Sequence, residues 1–225
     1  MTAAVSQRLT IFVDDGTRVS GLLAHPRGAK TCLILAHGAG AGMEHPFMSA
    51  LADDLALRSI ATLRYQFPSM ERGAKRPDPP ALCHATVRAA VAAAATLVPG
   101  LRLIAGGKSF GGRMTSQAQA AQPLPAVCGL VFFGFPLHPP DKPSTARAAH
   151  LSLVKLPMLF LQGTRDALAD LALLRPIVAK LPSAALEELD GADHSFHVLA
   201  RSGRKDADVM AEMSQDLVDW ISAKL

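Results

Sequence analysis

Residues 101–113 read Leu-Arg-Leu-Ile-Ala-Gly-Gly-Lys-Ser-Phe-Gly-Gly-Arg. A short apolar run, Leu101–Ala105, leads into glycines grouped around Lys108, Ser109 and Phe110, and a helix-like segment, Phe110–Ala121, follows. Strand, tight turn and helix fit this order, with Gly107-x-Ser109-x-Gly111 on the turn. A serine there needs an unusual backbone angle, and small neighbours let the turn close. The geometry lifts the hydroxyl above the strand end. It also aims the N-terminus of the next helix at any negative charge that develops.

Two other readings of the glycines fail on spacing. A Walker A loop needs glycine where Arg102 stands, and the residues between are strand. A dinucleotide-binding turn at Gly38-x-Gly40 would need its third glycine at Met43, and no acidic residue ends the next strand. Taken alone, an ordinary glycine-rich turn stays open.

Outward from this stretch the chain alternates. Arg8–Val13 and Arg18–Ala24 flank Asp14-Asp15-Gly16-Thr17, a hairpin signal. Thr31–Ala36 lacks a polar face and reads as a strand buried on both sides. Phe47, Leu51 and Leu55 mark an amphipathic helix ending near Arg58. Ile60–Tyr65, Ala126–Phe133, Met158–Leu161 and Ala184–Leu189 read as strands. Ala81–Val98 is an alanine-rich helix stopped by Pro99-Gly100. Leu171, Leu174, Ile177 and Val178 mark another helix, and Met210, Met213, Leu217, Trp220 and Ile221 share a face of the last one. Eight strands, mostly separated by helices, predict a mostly parallel sheet covered on both faces. With no repeat or linker, residues 1–225 are expected to form one α/β domain.

Chain order turns the serine into a candidate nucleophile. A serine nucleophile needs a histidine base, and the base needs an acid to hold its tautomer. Asp166 follows the strand ending at Leu161, and His194 follows the strand ending at Leu189. Ser109, Asp166 and His194 each stand just beyond a strand's C-terminal end, where open parallel sheets place their sites. Asp193 is the sequence neighbour of His194, so its carboxylate reaches that ring poorly. His197 is a rival base, further from the strand end, and metal binding by His194 and His197 has no carboxylate-and-histidine set of matching spacing to support it. For an oxyanion, the backbone N–H of Phe110 and one from His37-Gly38-Ala39-Gly40-Ala41-Gly42-Met43, taken as Ala39, are the candidate donors. His37 itself reads as a structural loop histidine.

Together these residues resemble the α/β-hydrolase superfamily. The resemblance implies nucleophile, acid and histidine after the fifth, seventh and eighth strands. Arg64-Tyr65-Gln66-Phe67-Pro68, Pro77-Asp78, Gly106–Arg113 and Gly134-Phe135-Pro136-Leu137-His138-Pro139-Pro140 are similar to a small lidless group of bacterial hydrolases. That group is itself similar to the testis-expressed and NSL chromatin-complex subunit proteins of animals. Dienelactone-hydrolase-like proteins are next nearest, although their usual nucleophile is cysteine. Lids in the superfamily usually enter after the sixth strand; the Gly134–Leu156 connection is too short for a multi-helix cap. The expectation is a serine hydrolase of carboxylic esters or thioesters acting through an acyl-enzyme, with no cofactor and no metal. The alternative is a non-catalytic interaction protein that keeps the fold.

Met43, Phe110, Phe135, Leu137 and His138 are the candidate pocket walls. Arg64, Lys108 and Arg113 belong to a basic stretch: residues 58–113 carry nine basic and two acidic side chains, against seven and eleven in 163–225. Arg64 and its neighbours therefore read either as an anion-selecting rim or as loop anchors. The overall net charge of only +4 is no nucleic-acid footprint. No run of about 18 apolar residues marks a membrane span. Three cysteines without a CxxC pair argue against a disulfide scaffold. A small-molecule substrate and a cytoplasmic location are the expectations.

Overall fold

The computed structural model describes residues 6–14, 16–74 and 76–225. Its strands are β1 (Ser6–Phe12), β2 (Arg18–Ala24), β3 (Thr31–Ala36), β4 (Ile60–Tyr65), β5 (Arg102–Lys108), β6 (Val127–Phe133), β7 (Met158–Gly163) and β8 (Ala184–Leu189). The helices are α1 (Pro46–Leu57), α2 (Pro68–Glu71), α3 (Pro80–Leu97), α4 (Phe110–Ala121), α5 (Leu171–Ala179) and α6 (Asp206–Lys224). One eight-stranded sheet runs β1-β2-β4-β3-β5-β6-β7-β8. β2 pairs antiparallel with β1 and β4, and β3 to β8 are parallel. This is the mostly parallel sheet that the alternation predicts, in the α/β-hydrolase arrangement that the resemblance implies, without a cap: the connection after β6 holds only the 3₁₀ turn Ala146–Leu153.

Alternation along β3 explains its lack of a polar face. Cys32, Ile34 and Ala36 point into one core with α3, α4 and α5, while Leu33 and Leu35 point into the other with α1 and α6. Both faces are dry, so both must be apolar. α3 is 18 residues long with a mean hydropathy of 1.2, long and apolar enough by composition to cross a membrane. Here it serves the core: Cys83, Val87, Ala90, Val91 and Ala94 form its buried stripe. From its other side Arg88 donates to the carbonyls of Ala118 and Gln122, satisfying the end of α4.

Several strand boundaries move: β1 spans Ser6–Phe12 against the expected Arg8–Val13, and β7 runs on to Gly163. In the turn between β1 and β2, Asp14 Oδ1 accepts from the N–H groups of Gly16 and Thr17, as a turn aspartate does; Asp15 lies outside the described residues. β5 runs on past Ala105 to Lys108, because Gly106 and Gly107 pair with both β3 and β6. β5 thus delivers its chain directly to Ser109.

The sheet order decides where the site lies. From β3 the chain moves outward to β4, and β5 returns to the other side of β3. The loops after β3 and β5 therefore part and leave a crevice at the carboxyl edge.

Candidate active site

Ser109 sits in that crevice with φ 49° and ψ −115°, a left-handed backbone that a serine adopts only under constraint. The constraint is close packing on both sides of the turn. A Cβ at residue 107 would stand 2.4 Å from the Ala36 carbonyl oxygen, and one at residue 111 would stand 2.5 Å from that of His37. Glycine at both positions lets β5 and α4 press against the end of β3. Ser109 is the N-cap residue of α4, yet its hydroxyl makes no capping bond. It faces His194 instead, with Oγ 2.8 Å from Nε2.

His194 Nδ1 lies 2.7 Å from Asp166 Oδ2. The Asp166 side chain is fully buried, and the histidine ring is about a quarter exposed. Gln162 Nε2 donates to the same Oδ2, and the Leu168 N–H donates to Oδ1 at 2.7 Å. Each carboxylate oxygen is thus satisfied and fixed in direction. The loops carrying Asp166 and His194 are tied together, since Arg165 N donates to the Ala192 carbonyl and Thr164 N to that of Leu189. Ser109, Asp166 and His194, which the chain order brings together, meet in the fold, with His194 within hydrogen-bond reach of both other residues. Asp193 builds the loop instead, its Oδ1 accepting from the N–H groups of Ser195 and His197. His197 faces Asp206 at 3.0 Å, on the exposed side.

A cleft of about 360 Å³ opens over Ser109, lined by Gly38, Ala39, Ala41, Phe47, Leu168 and His194 among others. The N–H groups of Phe110 and Ala39 donate to no partner among the described residues. His37 is structural, as read. Its Nδ1–H donates to the Gly38 carbonyl at 2.7 Å and its Nε2 accepts from the Phe67 N–H at 3.0 Å, bracing the loops after β3 and β4. Burial pushes its pKa down, in keeping with a neutral ring.

The wall residues require correction. Met43, Phe135, Leu137 and His138 are buried and lie outside the cleft. Phe135 packs edge-on against Phe132 and Phe160. Leu137 joins the same core. His138 Nε2 accepts from the Asp170 N–H, steadying the start of α5. The Met43 N–H donates to Gln66 Oε1 at 2.7 Å. Each sits in a loop that folds back onto the sheet, which turns its side chain inward. The Phe110 ring packs against Phe67 and borders a separate, smaller recess. The residues that do line the cleft, Phe47, Met48 and Leu168, escaped sequence reasoning. Phe47 had shown itself only as part of a helical repeat, and Leu168 follows Asp166 by two positions with no pattern to mark it.

Arg64 also belongs elsewhere. It is buried, and its Nη1 donates to Ser49 Oγ at 2.8 Å and to the Met43 carbonyl at 3.2 Å. It therefore anchors the loop before α1 and takes no place on a rim. Arg113 stands outside the cleft, near Arg147 and His150. The basic stretch is thus dispersed through the fold, and only Lys108 of the three cations reaches the cleft.

One consequence concerns stability. His150 Nε2 is 2.7 Å from the buried Ser116 Oγ, and burial, with Arg113 and His84 nearby, pushes its pKa down to about 4. The unfolded chain takes up this proton near pH 6.5, whereas the folded chain resists until about 4. Stability is therefore lost as pH falls through that window. After discounting for partial exposure, the loss is about 1–2 kcal/mol. Urea unfolding at pH 7 and pH 4.5 should show wild type losing that much more than His150→Gln.

A strained serine between strand and helix, a buried carboxylate and a histidine joining them, all at the carboxyl edge of an eight-stranded sheet, define the α/β-hydrolase class. The chain belongs to the alpha/beta hydrolase domain family, whose model matches residues 29–222. Among solved structures it is similar to a dienelactone hydrolase from Anabaena variabilis, with a TM-score of 0.78, 21% identity and 100% of each chain covered. It is also similar to an α/β serine hydrolase without a lid from Xanthomonas campestris, with a TM-score of 0.74 and 19% identity over 96% of this chain and 94% of that one. A third similarity is to the esterase domain of a Rhodothermus marinus protein, with a TM-score of 0.72 and 15% identity over 96% and 97%.

Proposed function

We propose that this hydrolase cleaves carboxylic esters or thioesters through an acyl-enzyme on Ser109. The observation that carries the reading is the continuous chain from Ser109 Oγ through the His194 ring to the buried Asp166 carboxylate. In this reading His194 Nε2 takes the serine proton as Oγ attacks the carbonyl carbon. Asp166 accepts from Nδ1–H, which fixes the reactive tautomer and stabilises the imidazolium. The Phe110 and Ala39 N–H groups, without another partner among the described residues, receive the oxyanion, aided by the N-terminus of α4. The imidazolium then protonates the leaving alcohol or thiol. Water, deprotonated by the same ring, releases the acid and restores Ser109. Each chemical role falls to a residue of the chain.

The similarity to a dienelactone hydrolase and to an esterase domain supports an ester over other acyl derivatives. The cleft is at the small end of ligand pockets and mostly apolar, which favours a short acyl group. p-Nitrophenyl esters of graded chain length, with acyl-CoA thioesters beside them, test this. The expected result is a burst of nitrophenolate equal to the enzyme present, then slower turnover that declines with long chains. Folded protein without turnover of any of these substrates would contradict the reading.

A further inference from the structure

Lys108 precedes the nucleophile and has no part in the acyl-transfer sequence above. Its ammonium turns under the base: Nζ donates to the backbone carbonyl of His194. It also lies 4.8 Å from the Phe196 ring centre and 5.8 Å from that of Phe47, two rings stacked 5.5 Å apart. Among the described residues no carboxylate comes within ion-pair distance of it. Asp166 and Asp193 face it at longer range from the loops after β7 and β8, and His45, just before α1, shares its cleft.

Gly134 shows how tightly these groups converge. A Cβ at that position would stand 3.0 Å from Lys108 Nζ, 3.5 Å from Asp166 Oδ2 and 3.5 Å from His194 Nδ1. Ammonium, acid and base meet around one point, left open because residue 134 is a glycine with φ 70°.

A lysine kept only for packing would be replaced at no loss by methionine, since desolvating an ammonium is unfavourable. Burial here pushes the lysine pKa down to about 8, against the pull of Asp166 and Asp193. The charge is retained beside the Asp166–His194 pair, where it acts on both. A cation there disfavours a second cation on the ring, and its bond to the His194 carbonyl fixes the loop that carries the base.

We propose that Lys108 is a positioning residue: its ammonium clamps the His194 loop through the His194 carbonyl, and its charge disfavours a second cation on the ring beside it. The proposal rests on the reading of Ser109, His194 and Asp166 given above.

The test is the pH dependence of kcat/KM for a neutral p-nitrophenyl ester in wild type, Lys108→Met, Lys108→Gln and Lys108→Arg. Activity requires a neutral imidazole, so it falls on the acid side. Removing the nearby cation should move that acid limb upward by about 0.5–1 pH unit in the Met and Gln variants. Lys108→Arg keeps the charge and should keep the wild-type limb. A packing role would leave the limb in place, whatever the change in activity. Limbs of the Met and Gln variants that coincide with wild type would overturn the proposal, as would an equal shift in Lys108→Arg. If Lys108→Met does not fold, Lys108→Gln carries the comparison, because its amide offers a donor toward the carbonyl without the charge. Failure of both to fold would also overturn it. Fluorophosphonate labelling separates the two readings. Wild type that does not label at Ser109 removes the site and the lysine's role together; wild type that labels, with unmoved limbs, removes the lysine's role alone.

Discussion

Replacing Ser109 by alanine is expected to lower ester turnover by about 10⁴–10⁶-fold, leaving the rate that oxyanion donors and binding provide. The fold should persist, because the hydroxyl makes no capping bond to α4. Ser109→Gly separates chemistry from strain. It also lacks the nucleophile, but glycine accepts φ 49° without steric conflict. Its unfolding free energy should therefore rise by about 1–2 kcal/mol over that of Ser109→Ala. Kinetics with a p-nitrophenyl ester and denaturant unfolding of both variants check the two halves. Substantial turnover in Ser109→Ala would remove the serine from the chemistry. Equal stability of the two variants would show that the turn stores no strain.

Asp166→Asn should be nearly as damaging, with kcat lowered about 10³–10⁴-fold. The amide is close in size and offers one oxygen. The Leu168 N–H already donates to one carboxylate oxygen, and His194 Nδ1 and Gln162 Nε2 both meet the other. An asparagine keeping its oxygen toward Leu168 presents an NH₂ to His194. The imidazole then holds its proton on Nε2, facing Ser109, and cannot act as base in that tautomer. The expected signature is a large loss in kcat with little change in KM and an unchanged fold by circular dichroism. A loss of less than tenfold would mean that another group orients the ring, with Asp193 the first to examine.

The sequence made some of this visible and hid the rest, for definable reasons. β3 and β7 are apolar because both faces of the sheet are covered, so their identity is written in composition. Ser109, Asp166 and His194 were legible because each follows a strand, and a parallel sheet gathers those ends at one edge. Which way a loop side chain points is not written locally. Phe135 and Leu137 come straight after β6, yet the chain reverses at Gly134 and turns them into the core. Arg64 reads as a cation near the site, but alternation along β4 buries it beneath the Met43 loop. Ser49, which receives it, is fifteen residues away in sequence, and no spacing rule connects them. Lys108 looked like one more positive charge in a basic stretch. Only the meeting of three loops shows that it ends beneath the histidine. α2 was missed because Pro68 at its first position resembles a loop residue as much as a helix start.

The central claim is that Ser109 is a nucleophile activated by His194. The most direct test is treatment of the folded protein with a fluorophosphonate, followed by peptide mass mapping and by labelling rates in wild type, Ser109→Ala and His194→Ala. The account predicts one adduct, on Ser109, absent from Ser109→Ala and formed at least about 100-fold more slowly in His194→Ala. An adduct on a different serine, or an Ser109 adduct formed equally fast without His194, would contradict it.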